Sequence, residues 1–167
     1  MGKYIENKNI NAIQELKKLA LEASKKRYPS LPDYARVIHK YNPNTANGLT
    51  RCIIDFLKLS GHQAERIPSG GRPIDRTKVV TDILGRRKRI GSIEWVYSTG
   101  TAGTADLSAT IGGRSVKIEV KIGKDRQSEA QKVYEKSVSA ASGIYYIATD
   151  FQGFYEWYIK TFREGSL

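Results

Sequence analysis

A single cysteine, Cys52, stands in a chain of 167 residues, which excludes a disulfide framework and any cysteine-rich zinc site. Histidine is nearly as scarce. His39 and His62 show no ligand spacing and read as surface or internally satisfied residues rather than metal ligands. No stretch approaches the ~18 consecutive apolar residues that a bilayer span requires. Met1 to Asn11 lacks the apolar centre of a signal peptide, which sets an expectation of a reducing, cytoplasmic location. Internal repeats and low-complexity tracts are missing too, so solenoids and compositionally biased linkers are excluded. Acidic residues are in deficit: 17 Asp and Glu against 28 Lys and Arg, a formal charge of +11. Such an excess concentrates polyanions around the protein, and nucleic acid is the commonest of these. A generally basic protein with no polyanion partner is the alternative.

The remaining composition is that of a globular protein, with 40% hydrophobic and 27% charged residues. A chain of this length can bury a core without staples. Ile10, Ile13, Leu16 and Ala20 recur at helical spacing and predict an amphipathic helix from about Asn9 to Lys26, ended by Pro29 and Pro32. Asp33 to Tyr41 reads as a second short helix. Asn42-Pro43-Asn44 through Asn47-Gly48 is turn chemistry. We place the domain boundary there: residues 1–48 as an N-terminal helical appendage, residues 49–167 as the main domain. Leu49, Cys52, Ile53, Phe56 and Leu57 fall on one helix face closed by Ser60-Gly61, with Cys52 as a small core residue. A short strand follows over Gln63 to Ile67.

Arg66 to Arg89 holds eight basic and two acidic residues among Gly70, Gly71, Pro73 and Gly85. It reads as a loop or loose hairpin, with Val79, Val80, Ile83 and Leu84 as a small buried or β segment. A solvated basic loop and an arm that tracks phosphates are the two readings of this segment. Ser92 to Tyr97 is an expected strand, and Ser98 to Gly103 an expected flexible connection. Towards the end come a helix from about Ser128 to Ala141 with Ser128 as N-cap, then the apolar strand Ile144 to Ala148, expected to be buried on both faces. Phe151, Phe154, Tyr155, Tyr158 and Phe162 form an aromatic stripe at helical spacing, suited to core packing or a dimer contact, with Trp157 off the stripe.

Gly103 to Ile122 carries the chemistry. Two alternating strands flank Gly112-Gly113, a two-residue hairpin connection that sets Ile111 opposite Arg114. One face then carries Ala105, Leu107 and Ala109 against Val120, Ile118 and Val116. The other carries Thr104, Asp106, Ser108 and Thr110 against Lys121, Glu119, Lys117 and Ser115. In this register Asp106 faces Glu119. Like charges directly opposed across a ladder repel. A neighbouring cation, a raised carboxyl pKa or a bound divalent metal would each offset the repulsion. Lys121 lies on the same face as Glu119. Two carboxylates with an ammonium beside them suit phosphodiester hydrolysis, while a salt-bridged solvent face is the ordinary alternative.

These residues, in this order, have a family likeness. Gly103-Thr104-Ala105-Asp106, then Glu119-Val120-Lys121, then Ser128-Glu129-Ala130-Gln131 opening a helix, resembles the PD-(D/E)XK nuclease superfamily. The likeness is greatest to its virus-type replication-repair nuclease (VRR-NUC) and Holliday-junction-resolvase-like branch, and spans roughly Leu49 to Ala148. It implies an α/β, restriction-endonuclease-like mixed sheet flanked by helices. It also implies that Asp106, Glu119 and the carbonyl of Val120 hold Mg2+ or Mn2+. Lys121 would orient or activate the attacking water, and Gln131 would place water or phosphate. Arg66, Arg72, Arg86, Arg87 and Arg89 are the candidate contacts to the nucleic-acid backbone. The implied activity is hydrolysis of DNA, extending to branched or otherwise structured DNA, and a homodimer follows by analogy with junction-cutting relatives. Two departures stand out. The family's acid on the first core helix is expected near Thr50, Asp55 lies on the wrong face to replace it, and Glu65 on the next strand is the candidate substitute. Ala105 also replaces the proline before the family's aspartate. The alternative is a non-catalytic nucleic-acid-binding module on a nuclease fold.

Overall fold

The computed structural model describes residues 11–68, 70–96 and 100–164. Helix α1 runs Ala12–Arg27, and the Asn11 side chain caps it by accepting from the amides of Ile13 and Gln14. Residues Asn9 and Ile10 of the expected helix lie outside the described residues. The expected helix over Asp33 to Tyr41 reduces to one tight turn, Asp33–Ala35. The Arg36 guanidinium donates to the carbonyls of Ser24 and Leu31, tying the passage after that turn against the end of α1 instead of letting it coil on. Helix α2, Ala46–Leu59, starts at a Thr45 cap, so the 48/49 boundary falls inside it. Its apolar face is the expected one: Leu49, Cys52, Ile53, Phe56 and Leu57 are all buried.

Strand β1 (Gln63–Arg66) leads into a long excursion and then into the hairpin β6 (Leu107–Ile111) and β7 (Arg114–Val120). The hairpin register is the expected one, from Ile111↔Arg114 to Leu107↔Ile118. Gly112 and Gly113 both take positive φ, +55° and +78°, as a tight connection matching strand twist requires. Helix α3 (Glu129–Ala140) crosses over to strand β8 (Ile144–Ala148), which runs parallel to β7. The four-stranded sheet has the order β1-β6-β7-β8 and is mixed. Strand β8 is therefore an edge strand. Only Ala148 is buried in it, and the other four residues are half-exposed, which corrects the expectation of burial on both faces.

Helix α4 (Phe151–Tyr158) continues as a wider turn over Ile159–Glu164. The aromatic stripe is core. Phe56 of α2 meets the rings of Phe151, Phe154, Tyr155 and Tyr158 edge-on, at 5.1–6.2 Å. Trp157 stacks on Tyr146 at 4.1 Å. Helices α2 and α4 thus cover the apolar face of the sheet, α1 packs on both of them, and Ala12 and Leu16 of α1 are buried in the same core. Cys52 sits there as well, its thiol pushed up to about 11 by burial. Both histidines have neighbours: His62 Nε2 lies 2.7 Å from the Tyr158 hydroxyl, and His39 packs edge-on against Tyr41. No helix among the described residues is long and apolar enough to cross a membrane.

The excursion between β1 and β6 is a two-stranded ribbon. Strands β2 (Arg72–Asp75) and β5 (Ile93–Val96) pair at its base, and β3 (Lys78–Thr81) and β4 (Arg87–Ile90) pair towards its tip. The two ladders share one register, since stepping inward from Arg72↔Val96 arrives at Lys78↔Ile90. Val79 and Val80 lie in β3 as expected, whereas Ile83 and Leu84 fall in the turn at the tip; all four are exposed rather than buried, because no helix among the described residues packs extensively on the ribbon. Tyr97 of the expected last strand and Ser98 and Thr99 of the expected connection lie outside the described residues.

Candidate active site

Asp106 sits immediately before β6, on the polar face of the sheet. Its carbonyl accepts from the Ile67 amide at 2.8 Å, and its Oδ2 accepts from the Val120 amide at 2.9 Å. The aspartate is thereby pinned from both neighbouring strands. Lys121, the next residue, donates its amide the other way, to the Ala148 carbonyl. The alternation of strand bonds therefore turns the Val120 carbonyl, with its N–H, towards the Asp106 edge.

Glu119 faces the same side. Its residue is only 2% exposed, yet its Oε2 has no hydrogen-bond partner. Its Oε1 takes two donors, the Lys121 ammonium at 3.1 Å and the side-chain amide of Gln131. The same ammonium reaches Asp125 Oδ2 at 3.3 Å. Burial pushes the Glu119 carboxyl above its usual range, Lys121 pulls it partly back, and the charge of Asp106 adds to the rise. Burial alone would lower Lys121, but its bonds to Glu119 and Asp125 outweigh that and hold it above its ordinary value. Lys121 is thus an ammonium, a donor and counter-charge rather than a free base.

Helix α3 supplies Gln131 through its first turn. The Ser128 hydroxyl accepts from the Gln131 amide, and Gln131 Oε1 accepts from the Ser128 amide at 2.9 Å, a reciprocal capping box. The opposite end of that side-chain amide is what remains to meet Glu119. Gly103 allows the helix to sit this close. Its φ is +76°, and a Cβ there would lie 2.3 Å from the Ala130 carbonyl. Tyr145 of β8, opposite Lys117 in the parallel ladder, shares the face. Its hydroxyl is pushed up to about 12 by burial and, more weakly, by the charges of Glu119, Glu135 and Asp106.

Asp106, Glu119, Val120, Lys121 and Gln131 are therefore brought together. The acid expected on the first helix is not. Thr50 is buried in α2, and Asp55 faces Arg51, at 3.8 Å, and Tyr41. Glu65 is exposed on β1 opposite Ser108, on the same face as Asp106. Of the predicted cations, Arg66 donates to Asn47 of α2 at 3.1 Å and stands opposite Leu107, on the face of the sheet away from Asp106 and Glu119; Arg72 lies at the base of the ribbon, and Arg86, Arg87 and Arg89 lie towards its tip. Two members of the site escaped the sequence reading. Asp125 stands four residues after Lys121, and Tyr145 is placed only by the parallel register of β8.

Among the described residues, no three His, Cys, Asp or Glu side chains gather as a metal-binding cluster. The donors present nonetheless fit one hard cation. They are a buried carboxylate oxygen with no partner, a second carboxylate fixed by a backbone amide, and a carbonyl directed to the same edge. Compared with family models, curated proteins and solved structures, the chain gives no match.

Proposed function

We propose that the protein is a metal-dependent nuclease of restriction-endonuclease-like organisation that hydrolyses phosphodiester bonds in DNA, including branched DNA. The observation that carries this reading is the unpartnered, buried Oε2 of Glu119 beside the pinned carboxylate of Asp106. Leaving a buried oxygen unbonded costs about 1–3 kcal/mol, a cost that a ligand at the site would offset. Asp106, Glu119 and the Val120 carbonyl would hold Mg2+ or Mn2+. Such an ion supplies polarisation of the phosphate and acidification of a water. Lys121 holds its proton and positions that water while countering charge on the phosphate. Gln131 fixes Glu119 from the helix side by donating to Oε1, which leaves Oε2 for the ion.

A non-catalytic nucleic-acid-binding module is the second reading. It is favoured by Thr50 standing where a further acid is expected and by the Lys121 ammonium already lying on Glu119. Cleavage of plasmid and branched DNA with Mg2+ or Mn2+ separates the two. Asp106→Ala and Lys121→Ala should each lower the rate by at least about a hundredfold, the scale of removing one charge-stabilising group. DNA binding should persist in Asp106→Ala. Binding without cleavage under either metal supports the module, and equal cleavage by all three proteins removes the site assignment.

A further inference from the structure

We propose that the exposed ribbon inserts into the major groove of B-form DNA, gripping the duplex that flanks the site; this rests on the reading of the substrate as DNA. The ribbon leaves the sheet at the end of β1 and returns at the start of β6. Arg66 and Leu107 are paired across those two strands, and the Ile67 amide bonds the Asp106 carbonyl. Its root is therefore the candidate catalytic aspartate itself. From Arg72 to Thr81 the register is continuous. At ~3.3 Å per residue these strands reach roughly 30 Å, close to one turn of B-DNA at ~34 Å.

The distribution of charge selects the occupant. Arg76 is paired with Glu94 at 2.7 Å and Arg86 with Asp82 at 2.9 Å. Arg72, Lys78, Arg87, Lys88 and Arg89 have no acidic partner among the described residues. In the β3–β4 ladder, Arg87 and Arg89 share one face with Thr81 and Val79, while Lys78 and Lys88 share the other with Ile90 and Val80. A second copy of the chain, itself at +11, would have to cover unpaired cations whichever face it packed on. A ribbon laid in a groove between two walls of phosphate can use both: the Val79, Arg87 and Arg89 face turns to the floor, and the long side chains of Lys78 and Lys88 extend from the other face to the flanking phosphates. The major groove, about 12 Å wide, admits a two-stranded ribbon, and its floor presents thymine methyls to apolar side chains such as Val79. The major groove of double-stranded RNA is too narrow for this insertion.

The test measures binding without catalysis, by fluorescence anisotropy of labelled DNA and RNA duplexes of one sequence, in chelator, over a salt series. One variant combines Arg87→Gln, Lys88→Gln and Arg89→Gln. A second replaces residues 79–89 by Asn-Gly, which closes the ladder at the Lys78↔Ile90 pair and keeps the test open if the first does not fold. We expect DNA affinity to fall at least tenfold in both. The slope of log affinity against log salt should shrink by roughly 2–3 in the triple variant, about 0.9 per lost phosphate contact. RNA-duplex affinity should fall less. Unchanged slopes overturn the proposal, as does an equal loss on DNA and RNA, which would mean phosphate contact without groove entry. So does a shortened protein that changes from dimer to monomer with its DNA affinity intact. Cleavage is scored separately. A protein that binds through the ribbon but never cuts refutes the nuclease reading alone, and one that cuts with unchanged slopes refutes the ribbon alone.

Discussion

Glu119 is the residue where folding and chemistry conflict. A carboxylate has been taken out of water with one oxygen unbonded and another acid nearby. Its carboxyl titrates higher in the folded chain than in the unfolded chain, so the folded state binds that proton more tightly. The stability this gives is present at low pH. It is lost as pH rises from the ordinary carboxyl value, about 4.3, through the raised one. Glu119→Gln removes the charge and escapes that loss. In chelator, its melting temperature at pH 7 should exceed that of the wild type by a few degrees, about 1 kcal/mol, with the two curves converging near pH 4. A wild type that is the more stable at pH 7 would mean that Lys121 outweighs burial. Much at this scale was legible in the sequence. The Gly-Gly turn fixes the register, and the register places Asp106 and Glu119 on one face. Burial of Glu119 was not legible, because it depends on how closely α3 packs back against the sheet, which the local pattern does not state.

At the scale of elements, α3 holds the site in shape. Its capping box is written in the sequence as Ser128 and Gln131, but the same glutamine's reach to Glu119 requires the sheet and helix to be in place. Gly103 is the position where that approach can be tested. An alanine there meets both an unfavourable positive φ and the Ala130 carbonyl. Gly103→Ala should destabilise the protein by more than about 1–2 kcal/mol and lower metal-dependent cleavage with it, since α3 must shift and carry Gln131 off Glu119. Thermal melting and cleavage rate check this together; an unchanged melting point would show that the loop yields at no cost. The elements misread from sequence share a cause. Residues 36–41 lack a helix because Arg36 is drawn to carbonyls on and just beyond α1, and β8 is half-exposed because strand order, not composition, put it at an edge. Side-chain reach and strand order are long-range properties, which local periodicity does not carry.

Over the whole molecule, one question is whether the first helix is an attachment or part of the body. The sequence drew a boundary after residue 48, since turn residues cluster there. The structure runs α2 through that point, and the buried side chains of α1 belong to the core formed by α2, α4 and the sheet. Leu16 is fully buried, so Leu16→Ala removes its transfer energy and leaves a cavity, a loss of about 2–5 kcal/mol. Because Leu16 contributes to the shared core, the cost should fall on the whole protein. In a Trp95→Phe background, which leaves Trp157 as the one tryptophan, chemical denaturation followed by far-UV circular dichroism and by fluorescence should show one transition, shifted equally in both signals. An attached helix would behave otherwise: the dichroism would acquire an early step carrying about one helix of signal, while the Trp157 transition stayed where it is in the wild type. Trp157 suits the comparison because it stacks on Tyr146 of β8 and so reports on the packing of α4 against the sheet. A joint shift would also mean that α1 supports the sheet carrying Asp106 and Glu119, so that loosening the helix would lower cleavage without touching the site.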